Sequence, residues 1–190
     1  MSQTTKKALA QSLKNLMNSK SLSKITVNDI VKDCGVNRRT FYYHFQDIYA
    51  LLEWIFRNEV TSVMAENKTY ETWQQGFLMI FLYLEQNHKL VLNTYNSIGR
   101  DQLEIHLYSA VYKLVFDVVD EVAVEMKVSE KDKEFVVNFY KFALVGLLLE
   151  WIRTDMVEDP EKIIDNLNKV INGDIHRALL KCEVNQLRIT

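Results

Sequence analysis

The segment from Thr26 to Phe45 constrains this chain more than any other. Thr26 is a good helix N-cap, and Val27, Ile30 and Val31 fall on one helical face. Gly35 stands where the chain must reverse, at a position that often needs a left-handed backbone. Asn37 can cap a second helix, whose first turn carries Arg38, Arg39 and Thr40. Two short helices joined by a glycine turn predict a helix-turn-helix. In that motif the N-terminal residues of the second helix meet base edges in the DNA major groove.

The second helix can be taken apart by chemistry. Val36 and Phe41 are apolar and would anchor it to the helix before it. Arg38 and Arg39 can each pair bidentately with guanine, and Thr40 can hydrogen-bond a base or touch a thymine methyl. Asn28 and Asn37 lie close enough in sequence to join that readout. Tyr42, Tyr43 and His44 end in polar tips that can reach phosphates, as can Thr26; such contacts set register but carry no sequence information. A plain surface helix would explain a lone basic pair. It would not explain the cap, the turn glycine, the two anchors and the aromatic cluster together.

With these features the segment resembles the DNA-binding domain of the TetR/AcrR family of one-component regulators. The matching residues are Thr26, Gly35-Val36, the block Thr40-Phe41-Tyr42-Tyr43-His44-Phe45, and Asp47 followed by Leu51-Leu52. The match covers the first quarter to third of the chain; the rest is similar in length and helical character only. Many members carry a lysine after the aspartate that touches a phosphate, whereas this chain has Ile48, so one backbone contact should be missing. The run Phe41 to Phe56, with Asp47-Ile48-Tyr49 and Glu53-Trp54-Ile55-Phe56, is also similar to a subgroup of dihydroxyacetone-kinase regulators.

Charge is compatible with that reading. Residues 1–50 hold eight Lys/Arg and three Asp/Glu, while the remaining 140 hold fifteen and twenty-two. A basic head on an acidic body steers the head toward phosphate. Cys34 and Cys182 have no metal-ligand spacing, and a structural disulfide between such distant segments does not suit a reducing compartment. No secretory signal precedes the first helix, and the apolar run Phe142 to Leu149 is too short to span a bilayer. The expected location is the cytoplasm.

One proline and five glycines in 190 residues leave little room for a turn-rich β fold. The expectation is an all-α chain, with a three-helix head at residues 1–46 and a helical ligand-binding and dimerisation domain at 47–190. Leu9, Leu13, Leu16 and Met17 form the stripe of the first helix. Asp47 should cap a long helix running to about Glu66, before a polar break at Asn67-Lys68-Thr69. This helix belongs to both halves, and its tilt would swing the head. Further helices are predicted over Tyr70–Gln86, within Asn87–Ile98, from Gly99 through Met126, and from Ser129 to about Arg153. Asp159-Pro160 opens the next, and Asn172-Gly173-Asp174 should end or kink it.

The segment Phe142 to Leu149 is apolar all round, so one side can face the body while the other needs a partner. Gly146 costs about 1 kcal/mol of helix stability relative to alanine, and close helix approach would offset that. Family members pair their last two long helices into a four-helix bundle. The resemblance therefore implies a homodimer, with Phe142, Val145, Gly146, Leu149, Ile164 and Leu167 at its interface. A dimer also suits a palindromic operator.

The resemblance further implies an inducer pocket, whose walls are expected from Trp73, Phe77, Tyr95, His106, Tyr112 and Phe139; each of these could equally be core. Glu85 and His88 have the Glu-x-x-His spacing of di-metal bundles, but no second copy exists. No phosphate loop, nucleophile elbow or His-Glu-x-x-His pair occurs, so neither enzyme activity, metal nor cofactor is expected. The expectation is a homodimeric repressor released from a palindromic operator of double-stranded DNA by a small-molecule inducer. The alternatives are an activator or co-regulator whose body binds a protein partner, and a helical interaction protein that no longer reads DNA.

Overall fold

The computed structural model describes residues 2–63, 69, 71–97, 100–171 and 173–187, and among these every regular element is helical. The helices are α1 (Ser2–Met17), α2 (Val27–Asp33), α3 (Arg38–His44), α4 (Ile48–Val63), α5 (Trp73–Gln86), α6 (His88–Tyr95), α7 (Arg100–Ala123), α8 (Glu130–Arg153), α9 (Pro160–Ile171) and α10 (Asp174–Leu187). A 3-10 turn, Leu22–Lys24, sits between α1 and α2 and has no strong sequence signal. The expected features at Glu66, Asn67, Lys68, Tyr70, Ile98, Gly99 and Asn172 lie outside the described residues.

Helix starts follow the local chemistry. Asp47 Oδ1 accepts the Ala50 N–H at 2.8 Å, which opens α4. The Ser129 hydroxyl accepts the Asp132 N–H at 3.1 Å and donates to the Asp132 carboxylate at 2.6 Å, opening α8. Asp159 accepts the Glu161 N–H at 3.0 Å, with Pro160 as the first helical residue of α9. Gly173, at φ +77°, separates α9 from α10.

The chain forms two compact units. The first holds Met1–Glu59 together with Gln86–His106, and so takes in much more than residues 1–46. Its interior is built from Leu9, Leu13, Ile30, Phe41, Leu51, Leu52, Ile55 and Phe56, all fully buried. The buried Ser12 hydroxyl donates to Ile30 O at 3.0 Å and so ties α1 to α2. Lys14 reaches Glu59 on α4 at 2.8 Å.

The second unit holds Val60–Glu85 and Leu107–Thr190. Phe77, Phe81 and Trp151 stack edge to face at its centre, and Trp151 Nε1 donates to Glu158 O at 2.7 Å across the turn after α8. The chain passes between the units inside α4, α5 and α7, so no tether joins them. Among the described residues, α8 alone is long and apolar enough to cross a membrane by length and composition. Its inward residues Val136, Val137, Tyr140, Leu144, Val145, Leu148, Trp151 and Ile152 are buried within this unit.

Candidate nucleic-acid interface

Each bend of the first unit's reading segment has a local cause. The Thr26 hydroxyl accepts the Asp29 N–H at 3.2 Å, while Asp29 Oδ2 accepts the Thr26 N–H at 2.9 Å. This closes a capping box, and the Thr26 hydrogen bonds hold the Asp29 carboxyl below its usual range. Cys34 N–H bonds back to Ile30 O and Val36 N–H to Val31 O, with Gly35 between them at φ +70°. A Cβ at Gly35 would meet nothing within 4 Å, so substitution there costs backbone strain alone. Gly35→Ala is expected to lower folding stability by about 1–2 kcal/mol, with Gly35→Asn losing less, as read by urea unfolding.

Asn37 Oδ1 accepts the Thr40 N–H at 2.8 Å and the Thr40 hydroxyl at 3.1 Å, so its oxygen is committed to capping α3. Phe41 is fully buried and Phe45 nearly so, which turns the opposite side of α3 outward. Arg38, Arg39, Tyr42 and Tyr43 are exposed there, Tyr43 by 82%. Arg38 Nη2 donates to the Tyr42 hydroxyl at 3.3 Å, and its guanidinium carbon sits 5.8 Å from the Tyr42 ring centre. His44 is half-buried, with its ring edge to face with Tyr43 at 4.9 Å. Thr26 and Asn28 are exposed at the start of α2. Ile48 lines a 240 Å³ surface groove with Leu22, Tyr42 and Tyr49.

The expected pocket walls fall in both units. Tyr95 and His106 belong to the first unit, and Trp73, Phe77, Tyr112 and Phe139 to the second. Phe77 is fully buried core, and the Tyr112 hydroxyl donates to Glu134 at 2.9 Å near the surface. Trp73 borders a cavity with Leu114, Val115, Tyr140, Leu144 and Ile175, but its volume is only about 20 Å³. Phe139 is 61% exposed on α8 and therefore walls no interior space of this chain.

Phe139 belongs instead to an exposed row on α8. Phe135, four residues before, and Phe142, three after, accompany it at 72% and 56% exposure, and Leu147, 42% exposed, lies further round the helix. Gly146 lies in this row, and a Cβ there would meet nothing within 4 Å. Leu149 is half-buried, whereas Val145, Ile164 and Leu167 are already covered within their own unit. Periodicity does not say which side of an all-round apolar helix the chain itself covers, so the exposure of Phe135, Phe139 and Leu147 is not legible from it.

Among the described residues His106 Nε2 is buried without a hydrogen-bond partner, as is Gln102 Oε1 one turn earlier. Its ring lies 6.1 Å from that of Phe56. Burial pushes its pKa below the usual 6.5; Glu53 opposes this and Arg57 adds to it. The folded protein thus binds this proton less readily than the unfolded chain. The stability tied to the neutral ring is complete above pH 6.5 and is lost as pH falls toward the lowered folded value. His106→Leu is expected to flatten the fall of melting temperature below pH 6.5. An unchanged slope would assign it to other groups.

Glu85 and His88 do not share a helix, since α5 ends at Gln86 and α6 begins at His88.

Comparison with known proteins agrees with this geometry. Residues 9–55 match the family described as "Bacterial regulatory proteins, tetR family". Residues 71–173, more than half of the chain, match the family "Transcriptional regulator C-terminal region". The chain is 37% identical over 83 residues to the HTH-type dhaKLM operon transcriptional activator DhaS of Lactococcus lactis subsp. lactis (strain IL1403). That match covers 44% of this chain and 44% of the relative, so less than half of the relative's length is spanned. A solved structure, the dihydroxyacetone kinase operon activator DhaS, superposes with a TM-score of 0.72 at 25% identity, covering 90% of this chain and 96% of that one. A capped helix-turn-helix over the residues of the first match, continued by helices over those of the second, leaves one assignment: the chain belongs to the TetR family of bacterial transcriptional regulators.

Proposed function

We propose that this regulator binds an inverted-repeat operator as a homodimer and activates transcription from it, under the control of a partner protein. The observation that carries the DNA half is the single outward side of α3, where Arg38, Arg39, Tyr42 and Tyr43 are all exposed. Arg38, Arg39 and Thr40, with Asn28 and the Nδ2 of Asn37, read bases; Thr26, Tyr42, Tyr43 and His44 hold phosphates. The second copy covers the aromatic row of α8. The chain acts in the cytoplasm and is a regulator rather than an enzyme.

Two observations favour activation through a partner over release by an inducer. Both similar proteins are named as activators, of the dhaKLM operon in one case and of the dihydroxyacetone kinase operon in the other. Among the described residues, the cavity that Trp73 borders, about 20 Å³, has room for little more than a water and so takes no inducer as it stands. Genes for dihydroxyacetone phosphorylation are accordingly the proposed targets. Helix α4, continuous from Ile48 to Val63, passes from one unit into the other and is the element an effector biases. Any effector does so only through unequal affinity for two states.

The test is selection of duplexes from a random DNA pool by the full chain at near-physiological salt, followed by a reporter carrying the selected site. One inverted repeat, with expression that falls when the regulator is deleted, is the expected result. Expression that rises on deletion makes it a repressor. Failure to recover any sequence from the pool overturns the operator reading.

A further inference from the structure

We infer that Asn93 on α6 is the positioning residue that sets the register of the DNA-reading head. One carboxamide makes three bonds to the main chain of the connector between α1 and the 3-10 turn. Its Oδ1 accepts the Leu22 N–H at 2.8 Å, and its Nδ2 donates to Met17 O at 3.2 Å and to Lys20 O at 2.6 Å. The last carbonyls of a helix have no donors within it, and they are ordinarily satisfied by residues just beyond the end. Here Asn15 O and Leu16 O are met locally by the N–H groups of Asn18, Ser19 and Lys20, but Met17 O, the last carbonyl of α1, is met by Asn93 from 76 residues away.

The position of the connector fixes where α2 begins. Leu22 and Ile25 are buried immediately before Thr26 opens that helix. Lys20 reaches Asp29 of the capping box at 3.5 Å, and Ser12 ties α1 to Ile30 at the other side of α2. The α1–connector–α2 assembly is therefore fastened internally, and the Asn93 amide fastens it to α6. Removing that amide leaves the reading helices folded and lets them shift against α6. An isolated head gains little from such a fastening. Two heads on one duplex need it, because their separation must match the half-site spacing. This inference rests on the proposed binding of an inverted repeat by a dimer.

The experiment measures full-chain affinity for the selected inverted repeat and for versions with one base pair added to or removed from the spacer. The wild type, Asn93→Ala and Ser12→Ala are compared. Ser12→Ala serves as a control because it removes a buried bond inside the head without touching α6. Wild type should prefer one spacer. Asn93→Ala should lose about tenfold on that spacer, the worth of one or two hydrogen bonds, and discriminate far less between the three. Ser12→Ala should weaken all three alike. Should alanine unfold the head, Asn93→Gln takes its place, since it keeps the amide but displaces it by a methylene. An Asn93 variant that is folded and keeps the wild-type spacer preference overturns the inference. A wild type that binds no inverted repeat overturns the dimeric reading and this inference with it, and that outcome is visible before any variant is made.

Discussion

Alanine at Arg39 is expected to weaken operator binding by about 1–3 kcal/mol, roughly 5- to 150-fold, and to relax sequence preference at one base pair of each half-site. Arg38→Ala should do the same at a neighbouring position. The two arginines differ in how they are held. Arg38 already lies against Tyr42, by hydrogen bond and over the ring, so it gives up less side-chain freedom on binding. Tyr42→Phe should therefore reduce affinity through Arg38 as well as through any phosphate contact of its own. Lysine at either position keeps the charge but not the bidentate fork, so Arg38→Lys should recover non-specific binding and not the base preference. Tyr43 is 82% exposed at the far end of the helix. Tyr43→Ala should weaken all sequences alike, leaving the preference intact. Titrations against the selected duplex and single-base variants, at two salt concentrations, separate these effects. If both arginine variants keep wild-type affinity, α3 is not the reading helix.

What was legible in the sequence is what depends on near neighbours. Thr26, Asn37, Asp47, Ser129 and Asp159 act as caps because each finds its partner within three residues. Gly35 takes its left-handed conformation for an equally local reason. The rest depends on contacts between distant segments. Asn93 looks like any polar residue of a short helix, and its partners lie more than seventy positions away. The grouping of α6 with the reading head has the same character, since no change in composition marks it. Aromatics at helical spacing look alike whether they line a pocket, fill a core or face outward; Trp73, Phe77 and Phe139 turned out to differ in this respect. The all-round apolar stretch of α8 implies two faces that gain from being covered. Which residues belong to which face is decided by the packing of α8 within its own unit.

That outward face carries the second large effect. Phe142→Glu, alone or with Phe139→Glu, is expected to convert the dimer to monomers and to abolish operator binding at concentrations where the wild type saturates. Covering an exposed phenylalanine gains about 1.5–3 kcal/mol, and in a twofold interface each substitution is felt twice. Phe142→Glu should therefore weaken association by about a thousandfold or more. Within the monomer Phe142 touches Tyr108, at 5.7 Å between ring centres, and Lys141, 4.2 Å from its ring centre. The variant loses those contacts too, so melting temperature must be followed beside mass. Val145→Glu should behave differently and unfold the chain, because Val145 is fully buried within its own unit. Gly146→Ala separates helix stability from association. The added methyl meets nothing in the monomer and should raise helix stability by about 1 kcal/mol. It should weaken the dimer if a second backbone comes close at that point. Sedimentation equilibrium on the three variants reads these outcomes directly. A Phe142→Glu protein that stays folded and dimeric would move the interface off α8, and a Gly146→Ala protein that associates more tightly would leave the glycine without a role in close approach.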